Sequence, residues 1–205
     1  MIELVKSPVV FIEDTHTYLY GDKILMGITG MISRQLFPDK YTNIPEFVLK
    51  RAAERGSLIH SQCQFADVTG FEPESIEAKN YIEIRNNAGY YPIANEYTVS
   101  DLENFATNID CVWGKDGVDN SVALVDIKTT SKLDEEYLSW QLSINADLFE
   151  LQNPHLKVSD LYGVWLRGEI SKLLPIKRKT AEDVARLLEC EITGKKYNEN
   201  TELVP

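Results

Sequence analysis

The stretch Ala106 to Thr130, ATNIDCVWGKDGVDNSVALVDIKTT, constrains this chain more than any other. Two runs with strand character, Asn108 to Trp113 and Val122 to Thr129, flank GKDGVDN, whose Gly and Asx content is that of a turn between antiparallel strands. A loop centred near Val118 sets Asp110 opposite Asp126, because paired residues in a hairpin have a constant sum of positions. Side chains alternate between faces, so Asp126 and Lys128 share a face with Asp110, while Ile109, Cys111, Val125 and Ile127 make an apolar face suited to a core. Charges beside such a core are costly unless paired or metal-bound. One reading is therefore a divalent-cation site, since Mg2+ takes hard oxygen ligands, commonly one or two carboxylates with water and substrate phosphate oxygens. A nearby ammonium positions a water or offsets charge on a phosphoryl group. The other reading is a surface hairpin with Asp126 and Lys128 solvated and Asp110 a turn-side acid.

A length of 205 residues suits one domain, 1–205, with a good core. No apolar run approaches the length of a bilayer span and MIELVKSPVVFIED lacks a signal-peptide pattern, so a soluble cytoplasmic protein is expected. Cys63, Cys111 and Cys190 are odd in number and widely spaced, with no CxxC, which argues against a disulfide framework, a zinc ribbon or an iron–sulfur cluster and for buried thiols. The net charge of -11 runs against nucleic-acid binding unless basic surface is local, as at Lys50, Arg51 and Arg55 or at Lys177, Arg178 and Lys179. Such runs equally make a solvated face.

Along the chain, Val9 to Phe11, Thr17 to Tyr20 and Lys23 to Met26 predict a small N-terminal β-meander, with His16 at the surface beside its first turn. Ile28 to Leu36 predicts a short helix ended by Pro38. Pro45 opens a long one that runs to Gly70, with Phe47, Leu49, Ala52, Ala53, Leu58, Ile59, Cys63 and Phe65 near helical spacing. Within it Gly56 costs about 1 kcal/mol relative to alanine, which suggests close approach of another backbone or a ligand. His60, taken alone, reads as a hydrogen-bonded core histidine. Glu72 to Ala88 predicts an amphipathic helix with Ile76, Tyr81, Ile82 and Ile84 inward, and Ile93 to Val99 a strand carrying Glu96. Glu96 either joins the acidic patch or is an exposed strand residue. Asp134 to Glu150 predicts a helix with Gln141 as a lone polar residue close to its apolar stripe. Tyr162 to Leu166 and Ile170 to Ile176 predict a hairpin, Thr180 with Asp183 caps a last helix to about Thr193, and the tail from Asn198 is expected to fray.

In order, Arg55-Gly56 with His60, then Glu96, Asp110, Asp126-Ile127-Lys128 and Gln141, the set resembles the PD-(D/E)XK nuclease superfamily, most of all its RecB-like and phage-exonuclease branch. That resemblance spans roughly Arg55 to Gln141. It implies an α/β (α+β) fold with a central mixed β-sheet flanked by helices, a restriction-endonuclease-like core here preceded by the meander. It also implies His60, Asp110 and Asp126 as metal ligands for Mg2+ or Mn2+, Lys128 as the catalytic lysine, and Glu96 and Gln141 as supporting catalytic residues. Two positions depart from the family: Asn108 stands where glycine is frequent, and Asn145 where the branch often has tyrosine. Neither an iron–sulfur cluster nor a nucleotide is implied, as the cluster cysteines and GxxxxGK[ST] are absent.

The activity implied is metal-assisted phosphodiester hydrolysis, most simply by a DNA exonuclease of phage or mobile-element recombination and repair. DNA is the expected partner, with a recombinase, a single-strand-annealing protein or further copies of the chain as additional candidates, and no membrane. The competing reading is a non-cleaving nucleic-acid-binding or recombination-partner protein that keeps the nuclease fold. Intact charged positions favour the first reading.

Overall fold

In a computed structural model that describes residues 2–198, the chain opens with an antiparallel meander of β1 (Val10–Ile12), β2 (Thr17–Tyr20) and β3 (Lys23–Gly27). The tail expected to fray lies, from residue 199 on, outside the described residues. α1 (Ile28–Leu36) follows without a loop and stops one residue before Pro38 blocks it. α2 (Glu46–Thr69) begins after Pro45, and ends where Gly70 takes φ 72° and returns its N–H to the Ala66 carbonyl.

Only Ile59, Cys63 and Ala66 of α2 are buried. Phe47, Leu58 and Phe65, expected inward, are exposed. At 100° per residue these three fall on a second stripe about a third of a turn from the first, so a helix resting on a sheet by one line of contact leaves them outside. α3 (Ile76–Asn87) starts later than Glu72 because the Ser75 hydroxyl accepts the Ala78 N–H as its cap. Ile76 is thereby left at the exposed first turn, and of the four residues expected inward Tyr81 is the one fully buried.

Three long strands follow, β4 (Tyr90–Ser100), β5 (Phe105–Lys115) and β6 (Val118–Lys128). β5 and β6 form the hairpin, with Cys111 facing Val125, Val112 facing Leu124 and Trp113 facing Ala123. The turn itself is tighter than the sequence suggests: Lys115 already faces Val118 across Asp116 and Gly117, the latter at φ 78°. A register shift between Trp113 and Lys115 absorbs the difference, and the upstream register remains the one that brings Asp110 and Asp126 together at the far end.

α4 (Glu135–Gln152), capped by Asp134, carries the chain over to β7 (Lys157–Arg167), which lies parallel to β6. β8 (Ile170–Pro175) returns antiparallel, and α5 (Ala181–Ile192) starts on the Thr180 cap as expected. The result is an eight-stranded mixed sheet in the order β1-β2-β3-β5-β6-β7-β8, with β4 paired to β5. One apolar cluster joins the sheet to α1, α4 and α5, and another joins it to α2 and α3, so helices flank the sheet on both faces.

Two features of this sheet shape the end of the hairpin that carries Asp110 and Asp126. β4 takes one edge of β5 along nearly its whole length, so β3 and β6 must share the other: β3 at Phe105 and Ala106, β6 from Cys111 onward. Between them that edge of β5 has no strand neighbour among the described residues. The hairpin is also apolar on both faces. Ile109 packs with Val112 and Leu124 in the first cluster, whereas Cys111, Val125 and Ile127 belong to the second, so the four residues do not make one face. The alternation breaks at Asp110, opposite Glu96, whose φ is 47°. All three cysteines are free and buried, and among the described residues no helix is long and apolar enough to cross a membrane.

Candidate metal centre

Where β5 loses its neighbour, side chains replace the missing ladder. The Ile127 N–H donates to Asp110 Oδ2 at 2.7 Å, and the Ile127 carbonyl lies 3.0 Å from His60 Nε2. A carbonyl can only accept, so His60 is protonated on Nε2, and in its neutral form Nδ1 carries a lone pair. That Nδ1 faces Asp110 Oδ2 at 3.6 Å. Two acceptors set against each other repel unless a cation or a proton lies between them. Glu96 completes the group: one donor atom each from His60, Glu96 and Asp110 fall within 4.8 Å of one another. Partial burial, then the Asp110 charge, pushes the Glu96 carboxyl up to about 8, although its side chain still reaches solvent.

Asp126 faces the other way, toward α4. Its Oδ1 accepts from Gln141 Nε2 at 2.6 Å, and its Oδ2 lies 2.6 Å from Lys128 Nζ. No donor is aligned on that buried Oδ2 in hydrogen-bond geometry. Burial raises the Asp126 carboxyl to about 6; Lys128 opposes the shift and Asp110 adds to it. Burial acts to lower the Lys128 ammonium, and Asp126 and Asp110 outweigh it, so its pKa is raised and it stays charged. Gln141 Oε1 lies 3.4 Å from the same ammonium.

The six residues named from the sequence thus gather at one end of the hairpin in two groups. His60, Glu96 and Asp110 make a nitrogen–oxygen donor set on the α2 side, and Asp126, Lys128 and Gln141 form a charged relay on the α4 side. The sequence grouped Asp126, rather than Glu96, with the ligands. The donor set fits a divalent cation: hard oxygens and one imidazole with its lone pair directed inward.

Three supporting features were not read from the sequence, although Arg55 itself was part of the motif. Arg55 donates to the Thr129 carbonyl at 3.1 Å and pairs with Glu77, which ties the segment after Lys128 to α2 and α3. Asp67, its side chain 1% exposed, accepts from the Tyr81 hydroxyl at 2.5 Å and Asn95 Nδ2 at 2.8 Å and pairs with Arg85. This buried network holds Asn95, the neighbour of Glu96. Its members come from α2, α3 and β4, far apart in the chain, so no motif announces them. A groove of about 830 Å³ opens beside Lys128 and Gln141, between the start of α2 and residues 129–132. Of the two departures from the family, Asn108 accepts from Thr98 Oγ1 at 2.8 Å, and Asn145 is buried with its Oδ1 unpaired.

No family model matches the chain, and no curated protein matches it. Among solved structures, one described as "Crystal structure of SSO0001" is similar with a TM-score of 0.47 and 13% identity, over 84% of this chain and 76% of that one. A likeness at that level carries no argument about function.

Proposed function

We propose that the chain is a divalent-metal-dependent deoxyribonuclease, an exonuclease of DNA recombination or repair. The observation that carries this reading is the pair of facing acceptors, His60 Nδ1 and Asp110 Oδ2, closed by Glu96 and backed by a charged lysine. A surface hairpin has no use for that arrangement.

His60, Asp110 and Glu96 would hold the ion, with Asp126 paired to Lys128 behind them. Mg2+ or Mn2+ bound there supplies Lewis-acid polarisation of a phosphate and a water of lowered pKa. The chain's own residues do the rest. Ile127 fixes the His60 tautomer and aims one Asp110 oxygen. Gln141 holds one oxygen of Asp126 and so turns the other to Lys128. The Lys128 ammonium, kept charged by two carboxylates, stands at the groove wall where negative charge on a phosphoryl group grows during hydrolysis.

The test is hydrolysis of end-labelled linear and covalently closed circular DNA, with Mg2+, Mn2+ or EDTA, by the wild type and Lys128→Ala. Metal-dependent loss of the linear form alone is expected, with the variant slower by about 10²-fold or more, as for removal of one charge-stabilising group. Binding of both DNAs without cleavage of either overturns this reading in favour of a non-cleaving DNA-binding protein.

A further inference from the structure

Resting on that reading, we infer that the groove beside Lys128 is a stacking channel for an unpaired DNA strand, with Tyr41 and Phe47 as its base platforms and Arg51 and Lys132 as its phosphate contacts. Charge is the first argument. The chain as a whole is strongly acidic, at -11, yet the side chains lining this groove include five cations and one carboxylate, Asp134. Lys40 is engaged by Asp134 at 2.7 Å and Arg55 by Glu77. Arg51 and Lys132 have no side-chain partner among the described residues, and so are free to meet an anion.

Exposure is the second argument. Phe47 is 74% and Tyr41 49% exposed, and both line the groove together with the free cations, Phe47 one helical turn from Arg51 on α2. Large aromatics left open to water beside unpaired cations suit a ligand that offers flat apolar faces and negative charge in alternation. A single nucleic-acid strand does so, because every base has a π-face and every residue a phosphate. A duplex hides its base faces inside the stack and shows only edges and backbone. Continuity is the third: Lys128 and Gln141 line the same groove, so a strand laid in it brings a phosphodiester to the charged relay.

The experiment uses a hairpin duplex with a short single-stranded overhang, carrying 2-aminopurine among the unpaired bases, and a blunt version of the same hairpin. Binding is measured in EDTA and again in Ca2+, apart from hydrolysis. Phe47→Ala and Tyr41→Ala remove exposed side chains and leave the core intact. Each is expected to weaken overhang binding by about tenfold or more, the value of one lost base stack. The 2-aminopurine quenching seen with the wild type should be relieved, and blunt-duplex binding should change by less than about twofold. Arg51→Gln should lower the salt dependence of overhang binding by about 0.7 in log–log slope. Equal losses for overhang and blunt DNA, no loss for either, or no binding of unpaired DNA by the wild type would each overturn the stacking channel. Lys128-dependent hydrolysis of linear DNA stands or falls separately.

Discussion

Glu96 holds a backbone conformation that a glutamate rarely adopts, with φ at 47° in the middle of a long strand. Such a residue costs on the order of 1–3 kcal/mol and persists where its surroundings over-determine it. Here the neighbours are the Asp67 network behind Asn95 and the Asp110 carboxylate across the ladder. Glu96→Gly relieves the backbone while removing the carboxylate. The expected outcome, read by thermal unfolding in EDTA, is a gain of about 1 kcal/mol after the entropy cost of glycine, together with loss of metal-dependent hydrolysis. Glu96→Gln keeps the strain and shows no such gain. Sequence order was enough to name the side chains that gather here. Their division into two groups was not legible, because it depends on the local break in alternation at Asp110, which no residue type announces.

At the scale of elements, punctuation carried most of the information. Pro38, Pro45, Gly70, Thr180 and Gly194 each stand at a helix end for reasons that act within a few residues, so α1, α2 and α5 were readable to within a residue or two. The first halves of β4 and β7 were not, since Tyr90–Pro92 and Lys157–Leu161 gain their strand character from neighbours far along the chain. Gly56 was expected to admit another backbone or a ligand. In the structure a Cβ there would sit 3.4 Å from Thr129 Oγ1, an ordinary contact with a side chain that can turn. Gly56→Ala is therefore expected to stabilise α2 by up to about 1 kcal/mol, seen as a higher denaturant midpoint with unchanged slope.

For the whole molecule, the carboxylates divide into two sets with opposite effects on stability. Asp134, Glu150 and Glu191 are held below the ordinary range by Lys40, Arg178 and Arg34 against the cost of burial. Their contribution is lost as pH falls below about 4. Asp126 and Glu96 are raised, to about 6 and about 8, so between pH 4 and 8 the folded chain keeps protons that the unfolded chain releases. Metal-free protein is then most stable near pH ~4 and loses stability as pH climbs toward ~8. On the proposed function, added Mg2+ or Mn2+ would bind the ionised carboxylates and should raise the unfolding temperature by an amount that grows over the same window. Thermal unfolding across pH with and without metal checks both signs.

The parting of β3 and β6 along β5 has one more consequence. An unpaired length of strand inside a large sheet is a template for another chain, and proteins cover such edges or blunt them with charge. Here His60 and Asp110 occupy both polar groups of Ile127 that point into the gap. The same two side chains of the candidate metal centre therefore also close the sheet to strands from outside, so that the proposed site and the guard against self-association are one structure.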